Sequence, residues 1–196
     1  MEVCFATNNI NKIKEVQAIL GNEFRLLSLE EIGCKVELPE TQATIAENSA
    51  QKARYVWENF GVACFADDSG LEVESLNNEP GVFSARYAGL PRNDEKNIAL
   101  LLKNLEGKAN RKAQFRTCIT LVTAEGEWQF EGTVKGKIIE QKRGENGFGY
   151  DPVFVPDGYE QTFAEMSAEQ KNAISHRAIA VKKLAEFLQN NINLIK

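Results

Sequence analysis

The apolar positions change period within the first twenty residues, and the change separates a strand from a helix. "EVCFA" at 2–6 reads as a short buried strand. "NKIKEVQAIL" then carries Ile13, Val16, Ala18, Ile19 and Leu20 at broadly helical spacing. "FRLLSL" from Phe24 predicts a second strand and "ELPETQAT" a loop leading to Thr44. Thr44 and Glu47 form a capping-box pattern before a helix with Ile45, Ala46, Ala50, Ala53, Val56 and Trp57, which Phe60 and Gly61 close.

"VACFAD" and "LEVESL" predict two strands on either side of Asp67-Asp68-Ser69-Gly70, and "NNEPG" predicts a turn. "DEKNIALLLKNL" turns Ile98, Leu101, Leu102 and Leu105 to one helical face. From Ala113 to Ile139 the pattern becomes that of a β-hairpin about the turn "EGE", and the final segment opens with a second capping-box pattern, Ser167 and Gln170. That segment buries Ile174, Ala178, Val181, Ala185 and Leu188. Alternating strands and helices followed by a hairpin argue an α/β fold with a mixed sheet. With 196 residues, no internal repeat and no linker, a single domain over 1–196 is expected.

The composition, 43% hydrophobic and 26% charged, is that of a globular protein. A net charge of −5 without a dense basic block disfavours nucleic acid and anionic membrane as partners. Cys4, Cys34, Cys64 and Cys118 form no CxxC pair, so neither a zinc cage nor a disulfide framework is expected, and reduced thiols suit the cytoplasm. "MEVCFATNN" is unlike a signal peptide, and no apolar run reaches the roughly 18 residues of a membrane span.

Four stretches could carry chemistry. "ATNNINK" at 6–12 lies at a strand-to-helix junction, where helix-start amides and Lys12 suit a phosphate, although the P-loop spacing is absent. An asparagine cap with a solvated lysine is the structural alternative. Asp67 and Asp68, at the end of an apolar strand, would point to opposite faces, so that one turns inward and the other reaches a crevice. There it could hold Mg²⁺ or take a proton from water, with Glu40 as a further oxygen ligand; an Asx turn with solvated acids is the alternative.

"GENGFGYDPVF" at 144–154 sets glycines around Phe148 and Tyr150, as a flat ligand or a simple Gly-rich turn would require. Lys171 and Ser175-His176-Arg177 supply donors for a purine carbonyl or a phosphate, or else a surface cap and an exposed arginine. With one histidine in the chain, any metal is better matched to Mg²⁺ held by oxygens.

Taken in order, "ATNNINK", "LPET", "ADDSGLEV", "PGVFSARYAG", "GFGYDPVF" and "KNAISHR" make the chain resemble the inosine triphosphate pyrophosphatase family, nearly from end to end. The resemblance implies an elongated α/β protein with a mixed sheet flanked by helices, two lobes with a nucleotide cleft between them, and a homodimer. It also implies Mg²⁺-dependent hydrolysis of ITP, dITP or XTP to the monophosphate and pyrophosphate. By motif, Thr7, Asn8, Asn9, Ile10, Asn11 and Lys12 would bind the triphosphate, assisted by Lys52. Glu40 and Asp68 would serve the metal, Asp68 would accept the proton of the attacking water, and Ser69 would touch the substrate. Phe148, Gly149, Tyr150 and Asp151 would hold base and sugar, Phe148 by stacking, while Lys171, His176 and Arg177 would read the base edge. The first motif often has glycine where this chain has Asn8 or Asn9; asparagine tolerates left-handed backbone angles as well.

Besides a dimeric interaction module whose motifs are all turns and caps, which would need every structural alternative to hold at once, two rival readings remain open at this level. A Maf-type nucleotide pyrophosphatase shares the fold, but its opening Ser-Pro-Arg-Arg signature is missing. A nucleotide-binding sensor without turnover would keep the same ligand contacts.

Overall fold

Glu2–Phe5 forms the first strand, β1, and Asn9 caps the helix α1, Ile10–Leu20, that follows it. The structure is a computed structural model that describes residues 2–195. β2 (Arg25–Leu27) runs parallel to β1, as does β3 (Cys64–Val73), and α2 (Ile45–Phe60) lies between them in sequence. After α3 (Asp94–Asn104), the long strands β4 (Lys112–Thr123) and β5 (Gly126–Ile138) are joined by two residues, a connection that antiparallel neighbours permit. β6 (Phe154–Pro156) pairs antiparallel with β5. Two helices, α4 (Ala168–Ile174) and α5 (His176–Asn190), complete the main elements. The six-stranded mixed sheet has the order β2-β1-β3-β4-β5-β6, so the α/β expectation holds.

The chain divides into two compact units: 1–68 with 117–132 and 177–196, and 69–116 with 133–176. In the first unit the period of 2 along β1 sorts the core. Val3 and Phe5, with Phe65, Ile119 and Leu121, pack against Val16 and Leu20 of α1 and Val181, Leu184 and Leu188 of α5. Cys4 and Ala6, with Cys64 and Ala66, meet Ala53 and Val56 of α2 on the opposite face. The second unit has its own core, in which Leu71, Val73, Phe115 and Phe154 surround Ile98, Leu101 and Leu105.

The sequence expectations need four corrections. Asp67-Asp68-Ser69-Gly70 does not separate two strands: β3 runs through it for ten residues, because the apolar alternation resumes at Leu71 and Val73, and it stops there, Glu74–Leu76 of the expected second strand forming a 3-10 turn. Ala18 is exposed, since the α1 face is set by Val16 and Leu20. The Thr44 hydroxyl accepts from the Glu47 amide, but the Glu47 carboxylate meets that hydroxyl instead of the Thr44 amide, so only half of the box forms. The Ser167–Gln170 box is complete, yet the helix it starts stops at Ser175 and a second begins at His176. No helix among the described residues is long and apolar enough to cross a membrane.

Candidate active site

The pleat of β3 decides the chemistry of its two aspartates. Phe65 faces α1 and α5, so Asp67, two residues on, shares that face. Its Oδ1 accepts from Lys12 Nζ at 3.0 Å and its Oδ2 from Arg177 Nε at 3.2 Å. Arg177 also pairs with Glu15, one turn beyond Lys12 on α1. Asp68 shares the α2 face of Cys64 and Ala66, where Lys52 and Glu40 are its charged neighbours. Lys52 Nζ donates to Glu40 Oε1 at 2.5 Å and to the backbone carbonyl of Asp67 at 2.6 Å.

These opposite environments shift the two carboxyls in opposite directions. Burial would raise Asp67, but Lys12, Arg177 and Lys52 outweigh it and hold the group well below the usual carboxylate range. Asp68 is pushed up to about 6, by burial first and then by Glu40, with Lys52 and Lys12 opposing. Burial likewise acts against Glu40, yet Lys52 keeps it below its ordinary value. Lys52 rises despite its burial because Asp68, Glu40 and Asp67 all surround it. Lys12 is lowered, burial outweighing the attraction of Asp67.

The loop carrying Glu40 is fastened to α2 by two side chains that sequence reasoning missed. Thr41 N–H donates to Gln51 Oε1 and Gln42 N–H to Asn48 Oδ1, each at 2.9 Å. The first motif folds as a turn closed by Thr7 Oγ1, which accepts the Asn9 N–H at 3.1 Å. Asn9 Oδ1 takes the amides of Asn11 and Lys12, so the asparagine cap forms and those two amides point to it. Asn9 keeps an extended backbone, so the site requires no left-handed angle there. Asn8, Ile10 and Asn11 are exposed, Thr7 half-buried. Lys12 is not the solvated lysine of the structural alternative, and Arg177, 2% exposed, is not a surface arginine.

In the second unit, one carboxylate organises the glycine-rich turn. Asp151 Oδ2 accepts the Phe148 N–H at 3.0 Å and Lys171 Nζ at 2.7 Å. Gly147 has φ +74, and a Cβ there would stand 2.1 Å from that same oxygen, so the position admits only glycine. Lys171 Nζ also lies 4.9 Å from the centre of the half-buried Phe148 ring. Tyr150 is core: its hydroxyl donates to the Ser84 carbonyl at 2.7 Å, and burial raises its pKa above the usual tyrosine value. Its ring therefore does not lie alongside Phe148 at a surface. His176 stacks on Phe115 at 4.7 Å and 11°, as an aromatic member of this unit. Ser69 is half-buried on β3.

Among the described residues no group of three or more carboxylate, histidine or cysteine side chains is arranged to hold a metal ion. Glu40 and Asp68 nevertheless fit Mg²⁺, which is commonly bound by one or two carboxylates together with substrate phosphates and water. Their hard oxygens suit it better than a softer metal.

The chain matches the Ham1 family over residues 3–187. It belongs to that family. A dITP/XTP pyrophosphatase of Flavobacterium psychrophilum is 51% identical over 190 residues, covering 97% of this chain and 100% of that protein. A dITP/XTP pyrophosphatase of Bacillus licheniformis is 46% identical, with 95% and 97% covered. The solved Ham1 protein of Staphylococcus aureus superposes with a TM-score of 0.89 at 40% identity, over 97% of this chain and 100% of that one. The HAM1 protein of Coxiella burnetii gives 0.89 at 36% identity, over 97% and 99%. Within this Ham1 chain, Glu15, Asn48 and Gln51 are the residues around the carboxylates that motif reading passed over. For Glu15 the signal was present: it stands three residues after Lys12, on the same face of a helix.

Proposed function

We propose that this Ham1-family protein hydrolyses deaminated purine nucleoside triphosphates, ITP, dITP and XTP, to the monophosphate and pyrophosphate, keeping them out of DNA and RNA. The observation that carries the reading is Asp68 on the α2 face of β3 with Lys52 and Glu40, in a chain whose full-length relatives are named dITP/XTP pyrophosphatase.

Asp68 takes a proton from water as the water oxygen bonds to the α-phosphorus; the bond to the α–β bridging oxygen breaks, and pyrophosphate leaves with its electron pair. Lys12 and Lys52, with the turn Thr7 to Asn11, bind the triphosphate and favour the charge that builds on the leaving group. Glu40 and Asp68 would hold Mg²⁺, which would supply further positive charge to the site. Ser69 touches the substrate. Phe148 stacks on the base, with Gly149, Tyr150 and Asp151 shaping its seat and the sugar's. Lys171, His176 and Arg177 donate toward O6 of hypoxanthine or xanthine; adenine has an amino group there and would leave donors facing donors. For Arg177 this asks the guanidinium to serve the base while Asp67 and Glu15 keep it charged and oriented. A cytoplasmic protein without nucleic-acid or membrane partners completes the reading, in keeping with the net charge of −5 and four cysteines that form no CxxC pair, and the homodimer follows from the family resemblance.

The test is pyrophosphate release from ITP, XTP, GTP, ATP, UTP and dTTP with Mg²⁺ or EDTA, with the nucleotide product identified. Metal-dependent conversion of ITP and XTP to monophosphates, with little from ATP or GTP, is the expected outcome. Pyrimidine preference, diphosphate products or no turnover would overturn it.

A further inference from the structure

The turn that carries Phe148 is held by two carboxylates, and only Asp151 belongs to the motif. The second is Asp94, whose Oδ2 accepts the Gly149 N–H at 2.8 Å. Asp94 is the first residue of α3 but does not cap it: Asn93 is the cap, its Oδ1 accepting the Lys96 N–H at 2.9 Å. The other carboxylate oxygen of Asp94 takes Arg92 Nε at 3.2 Å, which leaves the first oxygen aimed at the turn.

The two holds differ in kind. Asp151 lies three residues from Phe148, so its bond to the Phe148 amide closes the turn on itself, and Lys171 of α4 holds the same carboxylate oxygen from outside. Asp94 ties the next amide along to α3, and Ile98 and Leu101 anchor that helix in the core of the second unit. Gly149 has φ +63, a left-handed backbone that glycine adopts without strain, and the Asp94 bond holds its amide to one direction. A hydrogen bond from a backbone N–H to an ionised carboxylate is of the stronger kind.

We propose that Asp94 is a positioning residue for base recognition: by holding the Gly149 amide it fixes where the Phe148 ring stands. This rests on the reading that Phe148 stacks on the base. Asp94 touches neither phosphate nor water in that reading, so its loss weakens nucleotide binding and leaves the chemical step intact.

The experiment compares wild type, Asp94→Ala, Asp94→Asn and the neighbouring control Glu95→Ala by ITP kinetics, IMP affinity and hydrogen exchange at the Gly149 amide. In Asp94→Ala the KM for ITP rises about tenfold with kcat within about twofold. IMP binding weakens in parallel, and the Gly149 amide exchanges faster. Asp94→Asn keeps one oxygen for the Gly149 N–H and gives up the Arg92 contact, so it restores most of each of the three, and Glu95→Ala, which loses a surface pair with Lys142, behaves as wild type. An unchanged KM in Asp94→Ala, a fall confined to kcat, or failure of Asp94→Asn to rescue overturns the proposal. Should Asp94→Ala not fold, Asp94→Ser suits a helix start and is too short to reach Gly149. A wild-type protein inert toward ITP would overturn the parent function, and Asp94 would then stand or fall on amide exchange and IMP affinity alone.

Discussion

The carboxylates of β3 and the carboxylate of the glycine-rich turn are built on opposite principles. Around Asp67 and Asp68 the strand pleat sends like charges to opposite faces, and lysines and an arginine from three helices answer them. Around Asp151 one buried carboxylate collects a backbone amide and Lys171, and the outcome is a fixed turn. The first arrangement tunes charge; the second fixes shape. Damage to the first should appear in rate and in pH dependence, and damage to the second in binding.

The largest break is expected at Asp68. Asp68→Asn removes the proposed proton acceptor and one proposed metal oxygen, so pyrophosphate release from ITP should fall by about a thousandfold or more. Turnover within tenfold of wild type would remove Asp68 from the chemistry. Asp67→Asn tests the other face. Lys12 and Arg177 would lose the carboxylate they share, and Arg177 is 3% exposed at its side chain, so a stability loss of roughly 3–5 kcal/mol is expected in urea unfolding. A loss under about 1 kcal/mol would show that the cations find other partners.

In the second region, Lys171→Met leaves the buried Asp151 carboxylate without its cation and removes the ammonium beside the Phe148 ring. Stability should drop by about 3 kcal/mol, and the KM for ITP should rise more than kcat falls. A pure kcat defect with unchanged KM would erase the distinction between the two regions.

Much of this was legible because the periods are strong. Val3 and Phe5 against Cys4 and Ala6, and the runs in α2 and α3, announce strand and helix without help from the rest of the chain. The motif residues were legible by their order. What misled was local chemistry that tertiary pairing overrode: Asp-Asp-Ser-Gly is good turn sequence, yet β3 continues through it as a paired strand. Ser175 ends one helix where a single periodic run suggested continuity, and it sets His176 and Arg177 at the start of the next. Partners far apart in sequence, such as Arg177 with Asp67 or Gly149 with Asp94, leave no mark in a local pattern.

The smallest effect separates neighbouring residues by the sign of their pH dependence. Asp67 is held below its unfolded value, so the stability it contributes is present above about pH 4 and is lost as pH falls further. Asp68 is the reverse. Its folded carboxyl is raised to about 6, so the fold favours the protonated form. Relative to the unfolded chain it costs nothing near pH 4, and the cost grows as pH rises toward 6 and then levels off. Asp68→Asn carries no charge to bury. In EDTA at pH 7.5 it should therefore be more stable than wild type, by on the order of 2 kcal/mol, or several degrees in Tm for a chain of this size. The gap should close near pH 4. Added Mg²⁺ should narrow it from the other side, by stabilising wild type alone. A variant less stable than wild type at pH 7.5, or a gap that does not change with pH, would mean that burial is not what sets the Asp68 carboxyl, and that its face of β3 is as well compensated as the face carrying Asp67.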